Sequence, residues 1–352
     1  MKSERKAILV TYPDEFIRQE AIGLTEAAGF EVAQVVTQKY LKHGEFGVGP
    51  GKAEEIKQIA AATGCKEIIV DEGLSSSQIY NLCQITGQNV IDREKLILDI
   101  FASRATTTEA KLQVQLAELG YEMPRARQNV RLSTKGERQG LSGKGEYAVD
   151  VRFRALKRRM VSIKEKLREA GQRRDLHRSQ RKKLNIPLVS LVGYTSSGKT
   201  TLFNRLTNED KEVASSPFTT LGTTARTVTL PDSTKILLTD TVGFISRLPT
   251  YMIEAFKSTL DELNYADLVL LMLDATEPSS DVAIKFDTCL NTLKGLNVSA
   301  SKMIIILNKS DIASKVNVTE TKHLIRDFPC TVISAKRGDG THVLKTLIRQ
   351  NL

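Results

Sequence analysis

The stretch from Leu188 to Leu202, LVSLVGYTSSGKTTL, limits the fold of this chain more than any other segment. It opens with a short, mostly apolar run that has the length of a buried strand. Gly193–Thr200 then matches the pattern G-x-x-x-x-G-K-[ST], and a helical pattern follows directly. In this order, glycine-rich backbone N–H groups and a helix N-terminus surround a phosphate group. The segment therefore predicts a phosphate-binding loop inside an α/β domain.

Two side chains of this loop have predicted chemical roles. Lys199 should reach the β- and γ-phosphates of a bound nucleotide, and the Thr200 hydroxyl should ligate Mg²⁺. The nucleotide contacts predicted for the loop are Gly193, Tyr194, Thr195, Ser196, Ser197, Gly198, Lys199, Thr200 and Thr201.

The composition is that of an ordinary globular chain of about two domains. Of its 352 residues, 41% are hydrophobic and 26% are charged. The four cysteines are scattered without a C-x-x-C pair, which argues against a metal site or a disulfide framework and is typical of a reducing cytosol. The N-terminal apolar run is too short for a signal peptide, and no run approaches the roughly 18 apolar residues of a membrane span. We expect a cytoplasmic protein without a membrane span, monomeric in solution.

Residues 1–105 alternate between strand-like and helical patterns, which predicts a small parallel α/β domain. The predicted strands are Ala7–Thr11, Glu31–Thr37, Glu67–Asp71 and Asn89–Ile91. Within this domain, the glycine-rich segment Phe46–Lys52 precedes a helix but has no Ser or Thr after its lysine. It is either a structural loop or contact surface, or a second nucleotide site, and the sequence favours the former.

Residues 106–184 predict a long antiparallel helical hairpin. Leu112, Val114, Leu116 and Leu119 give the first helix an apolar face, and a long polar helix runs from Tyr147 to about Lys183. The apolar face of this second helix is predicted to comprise Val151, Ala155, Leu156, Val161, Ile163 and Leu167. The intervening segment, about 128–146, is rich in glycine and charge, so we expect a flexible loop there.

The charge of the chain is concentrated in this hairpin. Between Pro124 and Lys183 there are 20 Lys or Arg against 6 Asp or Glu, whereas the whole chain carries +10. Such a block indicates a surface for nucleic acid, although a solvated helix face that binds nothing is the alternative. The candidate RNA contacts are Arg152, Arg154, Lys157, Arg158 and Lys144.

Residues 187–352 predict the nucleotide domain, with a mixed, mostly parallel sheet and helices on both faces. Asp240–Gly243, DTVG, follows a strand-like run. The Asp240 carboxylate should contact Mg²⁺ by way of a water molecule, and the Gly243 N–H should lie near the γ-phosphate. The contacts predicted here are Asp240, Thr241, Val242 and Gly243.

The segment Asn308–Asp311, NKSD, predicts the base that is bound. The Asp311 carboxylate can accept hydrogen bonds from N1–H and the 2-amino group of guanine, whereas adenine presents an acceptor at N1 and lacks that amine. Asn308 should tie this segment to the phosphate loop, the Lys309 stem should cover the base, and the segment of Ser334, Ala335 and Lys336 should offer a backbone N–H to O6. The sequence therefore predicts GTP and GDP as ligands.

A threonine-rich segment between the two phosphate motifs is the predicted switch. Thr220 is the residue we expect to reach Mg²⁺ and the γ-phosphate only in the triphosphate state, with Thr219, Thr223 and Thr224 as alternatives. The contacts predicted here are Phe218, Thr219, Thr220, Leu221 and Gly222. The predicted catalytic residues are Lys199, Thr220 and Gly243, and the predicted metal ligands are Thr200, Thr220 and, through water, Asp240.

Taken together, these residues resemble the HflX GTPases of the Obg/HflX-like group. The segments that carry the resemblance are Gly193–Asn204, Phe218–Leu221, Asp240–Ile245, Val90–Arg93, Leu96–Ala102 and Lys111–Ala117. The resemblance implies a ribosome-associated GTPase that uses Mg²⁺, binds the large ribosomal subunit through ribosomal RNA, and separates stalled or idle subunits. Ser196 stands where many relatives have an Asn associated with potassium-stimulated hydrolysis.

Phe244 occupies the place where many small GTPases carry a Gln that orients the attacking water. Since phenylalanine cannot hydrogen-bond to water, we expect slow hydrolysis by the protein alone and stimulation by the ribosome. Two other functions fit parts of the sequence: a GTP-gated RNA-binding or ribosome-assembly factor without splitting activity, and a kinase or ATPase that uses the same loop.

Overall fold

The computed structural model describes residues 5–134, 142–209, 217–218, 224–241 and 243–352, without the side chains of 127–134, 142–150, 173–183, 258–259 and 261. The chain divides into two compact units. The first comprises Met1–Ser103 with Lys111–Lys166, and the second comprises Arg104–Ala110 with Leu167–Leu352. The predicted boundaries at 105/106 and 184/187 remain predictions.

The first unit contains a four-stranded, all-parallel sheet, as the sequence predicts. Its strands are β1 (Arg5–Thr11), β2 (Phe30–Thr37), β3 (Glu67–Val70) and β4 (Asn89–Asp92), in the order β2-β1-β3-β4. The connecting helices are α1 (Glu15–Ala27), α2 (Pro50–Thr63) and α3 (Ser76–Thr86), and α4 (Arg93–Arg104) follows β4. Helix α3 begins with a capping box between Ser75 and Gln78, which satisfies N–H groups that the first turn leaves open.

Charged side chains are buried at the carboxyl end of this sheet, and they are paired. Arg93 is 4% exposed and contacts the carboxylates of Asp71 and Glu20. Asp92 is fully buried and accepts from the N–H of Lys95 at 2.8 Å, from Tyr121 Oη at 3.1 Å, and from Arg125 at 2.7 Å. Buried charges are tolerated only when they are paired in this way.

The first unit also contains most of two long helices, α5 (Thr108–Thr134) and α6 (Ser142–Lys183). Helical backbone therefore occupies most of the segment 128–146, for which the sequence predicted a flexible loop, and that prediction is wrong for 128–134 and 142–146. Composition misled the prediction, because local residue propensity is a weak guide where the flanking segments continue as helices. Residues 135–141 lie outside the described part of the chain.

The apolar face of α6 differs in part from the one predicted. Val151 and Val161 were expected on it, but they are 48% and 61% exposed, whereas Ile163 and Leu167 are buried as expected. The less exposed apolar positions recur at intervals of three and four residues: Phe153, Leu156, Met160, Ile163 and Leu167. This is the spacing of a narrow helix seam, and most of the remaining circumference carries polar or charged residues.

The second unit is built on a six-stranded mixed sheet. Its strands are β5 (Leu188–Gly193), β6 (Thr224–Thr229), β7 (Lys235–Asp240), β8 (Leu268–Asp274), β9 (Met303–Asn308) and β10 (Cys330–Val332), in the order β10-β9-β8-β5-β7-β6. Among the strand pairs in the described part of this unit, only the edge pair β6 and β7 is antiparallel. All seven residues of β8 and all six of β9 are buried, as expected for central parallel strands.

Helices alternate with most strands of this unit along the chain. They are α7 (Lys199–Thr207), α8 (Thr250–Leu260), α9 (Ser279–Gly295), α10 (Lys315–Leu324) and α11 (Thr341–Gln350). Since β5, β7, β8 and β9 are parallel, the segments that follow them meet at one edge of the sheet. Within the described ranges, no helix is both long and apolar enough to cross a membrane.

A candidate nucleotide-binding site

The loop between β5 and α7 takes a backbone path that requires glycine at both ends. Gly193 has φ +150°, and a Cβ there would lie 2.4 Å from the carbonyl oxygen of Met272. Gly198 has φ +95°, and a Cβ there would lie 2.2 Å from Asn308 Nδ2. Any side chain at either position would displace β8 or the Asn308 side chain, so these glycines fix the shape of the loop.

Lys199, the first residue of α7, is buried inside this loop. Its Nζ donates to the carbonyl oxygens of Tyr194 at 2.7 Å and Gly193 at 3.1 Å. Burial lowers the pKa of Lys199 to about 8, although Asp240 opposes the shift. The loop therefore holds a desolvated amine, and an anion bound beside it would raise its pKa again.

Two oxygen donors predicted to hold Mg²⁺ lie together beside Lys199. Thr200 Oγ1 donates to Asp240 Oδ2 at 3.1 Å, and both residues are buried. Thr241, next to Asp240, uses its hydroxyl to donate to the carbonyl of Leu191 at 2.6 Å. Thr241 therefore fixes the end of β7 against β5.

The segment after Asp240 is bonded directly to the phosphate loop. The Phe244 N–H donates to the Gly193 carbonyl at 3.0 Å, and the Thr195 N–H donates to the Phe244 carbonyl at 2.9 Å. The Tyr194 hydroxyl accepts from the N–H of Ser246 at 2.7 Å. A Cβ on Gly243 would lie 3.1 Å from Lys199 Nζ, so the loop and this segment are in close contact.

Asn308, at the end of β9, joins three parts of the site. Its amide Nδ2 donates to the carbonyl of Ser197 at 2.8 Å, and its Oδ1 accepts from the N–H of Ala335 at 2.9 Å. The predicted link between the base-recognition segment and the phosphate loop is thus present. The sequence did not predict that the same side chain also holds the loop after β10.

Asp311 lies beside the loop that contains Ser334. The Ser334 hydroxyl donates to Asp311 Oδ1 at 2.7 Å, and this hydrogen bond holds the pKa of Asp311 below its usual value. Arg337 Nε lies 3.7 Å from the other carboxylate oxygen. Asp311 is therefore an ionised acceptor whose orientation is fixed, which is what recognition of two guanine N–H donors requires.

Lys309 is held by a carboxylate that was not predicted from the sequence. Its backbone has φ +65°, and its Nζ lies 2.5 Å from Oδ2 of Asp274. Asp274 Oδ1 in turn accepts from the N–H and hydroxyl of Thr276 at 3.0 and 2.7 Å. Asp274 ends β8 beside Asn308, so a polar residue closing a fully apolar strand was the available signal.

The structure thus brings together the phosphate loop, Asp240, Gly243, Asn308–Asp311 and Ser334–Lys336. Phe218 is 3% exposed, with φ +61°. Thr219, Thr220, Leu221, Gly222 and Val242 lie outside the described residues. Of the RNA-contact candidates, Arg152, Arg154, Lys157 and Arg158 are exposed on α6, and the side chain of Lys144 lies outside the described part.

Three family models match successive parts of the chain. Residues 17–102 match a model described as GTP-binding GTPase N-terminal, and residues 104–181 match GTP-binding GTPase Middle Region. Residues 188–309, which contain most of the site, match a model described as 50S ribosome-binding GTPase.

Curated relatives from bacteria and archaea match most of the chain. GTPase HflX of Caldanaerobacter subterraneus is 42% identical over 349 residues, covering 98% of this chain and 79% of the relative. GTPase HflX of Thermococcus kodakarensis is 39% identical and covers 88% and 70%. GTPase HflX of Escherichia coli is 40% identical and covers 84% and 69%.

Solved structures give the same result for the fold. A crystal structure titled as a complex of SsGBP and GDP is 26% identical, with a TM-score of 0.56 and 98% coverage of both chains. A GTP-binding protein from Sulfolobus solfataricus in complex with GDP is also 26% identical, with a TM-score of 0.53.

The phosphate loop, the Asp240–Gly243 segment and the NKSD segment, set on this sheet, define a P-loop GTPase, an enzyme that binds guanine nucleotide and hydrolyses GTP. The matched relatives extend the identification beyond this domain to the amino-terminal region. The chain belongs to the HflX family of GTPases.

Proposed function

We propose that this GTPase binds the large ribosomal subunit and acts in separating ribosomal subunits. The observation that carries the proposal is the exposed cationic surface of α6, formed by Arg152, Arg154, Lys157 and Arg158. It lies in the segment whose net charge exceeds that of the whole chain. A match to a model described as a 50S ribosome-binding GTPase supports the choice of partner.

A helix with this charge distribution is suited to RNA phosphates. Its less exposed apolar residues follow a narrow seam, and the arginines and lysines of 152–159 lie on the exposed surface. Cations held in a rigid array release condensed counterions when they meet phosphates, which gives affinity that falls steeply with salt. Ribosomal RNA provides a dense phosphate surface of this kind.

The nucleotide site is proposed to hold Mg²⁺ through hard oxygen donors. The Thr200 hydroxyl and the Asp240 carboxylate converge to 3.1 Å, and such oxygens are the ligands Mg²⁺ prefers. Thr200 would be a direct ligand and Asp240 would act through water, with Thr220 as the third predicted ligand. When bound, Mg²⁺ neutralises charge on the β- and γ-phosphate oxygens.

Lys199 and the Gly243 N–H position the triphosphate in the site. Lys199 exchanges its two carbonyl acceptors for phosphate oxygens, and the Gly243 N–H approaches the γ-phosphate. Phe244 is 5% exposed and its backbone is bonded to the phosphate loop. Its phenyl ring has no hydrogen-bonding group, so it cannot orient a water molecule. We propose slow hydrolysis by the protein alone and acceleration when a partner orders the segments around Thr220 and Phe244.

Turnover of the purified protein tests the catalytic part of this proposal. We expect single-turnover hydrolysis well below about 1 s⁻¹, in the range of GTPases that lack a supplied catalytic group. Addition of large ribosomal subunits should raise the rate. A rate above about 1 s⁻¹ without ribosomes would contradict it.

The salt dependence of large-subunit binding tests the role of α6. Replacing Arg152, Arg154, Lys157 and Arg158 by Gln should flatten the plot of log affinity against log salt by about 0.7 to 0.9 per lost phosphate contact. A matched control replaces four exposed charges of the second unit by Gln: Lys294, Lys315, Lys322 and Arg326. Equal flattening in both variants would contradict a specific role for α6.

The separation of subunits requires its own measurement. Intact ribosomes incubated with the protein and GTP should yield free subunits in a sucrose gradient, whereas GDP should not produce them. If large subunits bind and ribosomes stay intact, the protein is instead a GTP-gated RNA-binding or assembly factor.

A further inference from the structure

One arginine from the phosphate-loop helix reaches the loop that follows β10. Arg205 lies in the last turn of α7. Its Nε donates to the carbonyl of Ala335 at 3.3 Å, and a terminal guanidinium nitrogen donates to the carbonyl of Lys336. The helix that begins with Lys199 is thereby joined to a loop about 130 residues further along the chain.

The loop that Arg205 holds is closed on itself. The Ser334 N–H donates to the Asp339 carbonyl at 3.0 Å, and the Gly338 N–H donates to the Ser334 carbonyl at 2.7 Å. A Cβ on Gly338 would lie 3.8 Å from the Arg205 guanidinium carbon. The guanidinium therefore packs close to bare backbone while it bonds the two carbonyls.

These contacts fix the direction of one peptide group. In a trans peptide the N–H points away from the carbonyl of the same unit. Because Arg205 holds the carbonyl of Ala335, the N–H of Lys336 points to the opposite side. The N–H of Ala335 is already used by Asn308, at 2.9 Å, which leaves Lys336 to supply the donor expected from this segment.

We propose that Arg205 is a positioning residue for guanine recognition. By holding the Ala335 carbonyl, it directs the Lys336 N–H toward O6 of the base. This inference rests on the proposed placement of guanine with its N1–H and 2-amino group against Asp311. It adds a residue outside the nucleotide motifs, and it links the phosphate-binding helix to base selection.

Two guanine analogues separate the contacts at opposite edges of the base. Inosine diphosphate lacks the 2-amino group that faces Asp311 but keeps O6. 6-Thioguanosine diphosphate keeps the groups that face Asp311 but replaces O6 by sulfur, a weak acceptor. A residue that acts through the O6 contact must therefore affect GDP and inosine diphosphate alike, and 6-thioguanosine diphosphate less.

The test is the dissociation constant of the three diphosphates for the full chain and for variants, at pH 7. Arg205→Gln should weaken GDP and inosine diphosphate about fivefold, the effect of one misdirected hydrogen bond, and 6-thioguanosine diphosphate less than twofold. Arg205→Lys, which keeps one cationic donor, should recover part of the loss. Arg349→Gln removes another arginine of the same unit, 53% exposed and paired with Asp232, and should leave all three constants unchanged.

The outcomes distinguish the inference from the placement on which it rests. Equal weakening of all three nucleotides by Arg205→Gln, or no weakening of GDP, would overturn the role of Arg205. If the unmodified chain binds inosine diphosphate as tightly as GDP, the placement of guanine against Asp311 fails, and the role of Arg205 fails with it.

Discussion

At the scale of single residues, the chemistry of the site depends on two charges held in defined environments. Lys199 is bonded to two backbone carbonyls, and burial lowers its pKa to about 8. Asp311 is kept ionised by a hydroxyl donor. Lys199 is thus placed to contact a phosphate group, and Asp311 is placed to accept hydrogen bonds from a base.

The pKa of Lys199 predicts that nucleotide binding takes up a proton. In the free protein the pKa is about 8, and contact with phosphates should raise it because the ammonium gains an opposite charge. The affinity for GDP should therefore be flat below pH 7 and fall as the pH rises through 8. Calorimetry at pH 8.5 in two buffers of different ionisation enthalpy should report uptake of more than half a proton, about what a group of pKa 8 requires.

One result of these pH-dependent binding measurements would contradict the prediction of proton uptake. Affinity that stays constant from pH 7 to 8.7, without buffer-dependent heat, would show that Lys199 is already protonated in the free protein. The burial argument would then be wrong for this residue.

If Asp311 recognises guanine, its substitution should change which base the protein prefers. In Asp311→Asn the side chain offers a donor where guanine also has donors, so GTP affinity should fall by about 100-fold or more. Xanthosine triphosphate, with an acceptor at C2, should gain affinity. Competition against a labelled nucleotide measures both, and an unchanged preference for GTP would exclude Asp311 from base recognition.

At the scale of elements, Asp92 connects three parts of the first unit. It ends β4, caps the first turn of α4 through the Lys95 N–H, and accepts from Tyr121 and Arg125 of α5. A single carboxylate therefore fixes the entry of α4 and the position of α5 against the sheet.

Removing this carboxylate should destabilise the first unit strongly. Asp92→Ala leaves Arg125 without its buried partner, and we expect a loss of about 3–5 kcal/mol in the free energy of unfolding. Asp99→Ala is the matched control, because its ion pair with Lys95 is 39–41% exposed and should contribute below about 1 kcal/mol. Calorimetry of the full chain measures both, and similar small losses in the two variants would contradict a special role for Asp92.

The elements also show what the sequence could and could not predict. The four parallel strands of the first unit and the order of β5, the phosphate loop and α7 were predictable, because each has a strong local pattern. The edge strand β6, TARTVT, has mostly exposed or half-buried residues and gave no such pattern. The helices through 128–134 and 142–146 were missed because charge and glycine content were taken to indicate a loop.

Two contacts that the sequence did not predict were missed for a common reason. Asp274 and Arg205 belong to no nucleotide motif, and each acts on residues distant in sequence: Asp274 on Lys309, and Arg205 on Ala335 and Lys336. Spacing along one chain cannot reveal a partner that only the sheet brings close. The motifs predicted which groups meet the ligand, and the fold was needed to find the groups that hold them.

At the scale of the whole molecule, the chain combines a GTPase domain with a cationic helix. The excess positive charge is concentrated in 124–183, outside the nucleotide motifs. Our central proposal is that the nucleotide bound at Lys199 and Asp311 sets how the cationic region engages the large ribosomal subunit.

The most direct measurement is co-sedimentation of the full chain with purified large ribosomal subunits in the presence of different nucleotides. We predict stable association with a non-hydrolysable GTP analogue and weaker association with GDP. The Asp311→Asn variant should respond to the corresponding xanthosine analogue and not to the guanosine analogue, which assigns the effect to this site. Equal sedimentation with every nucleotide would show that the GTPase site does not control ribosome binding.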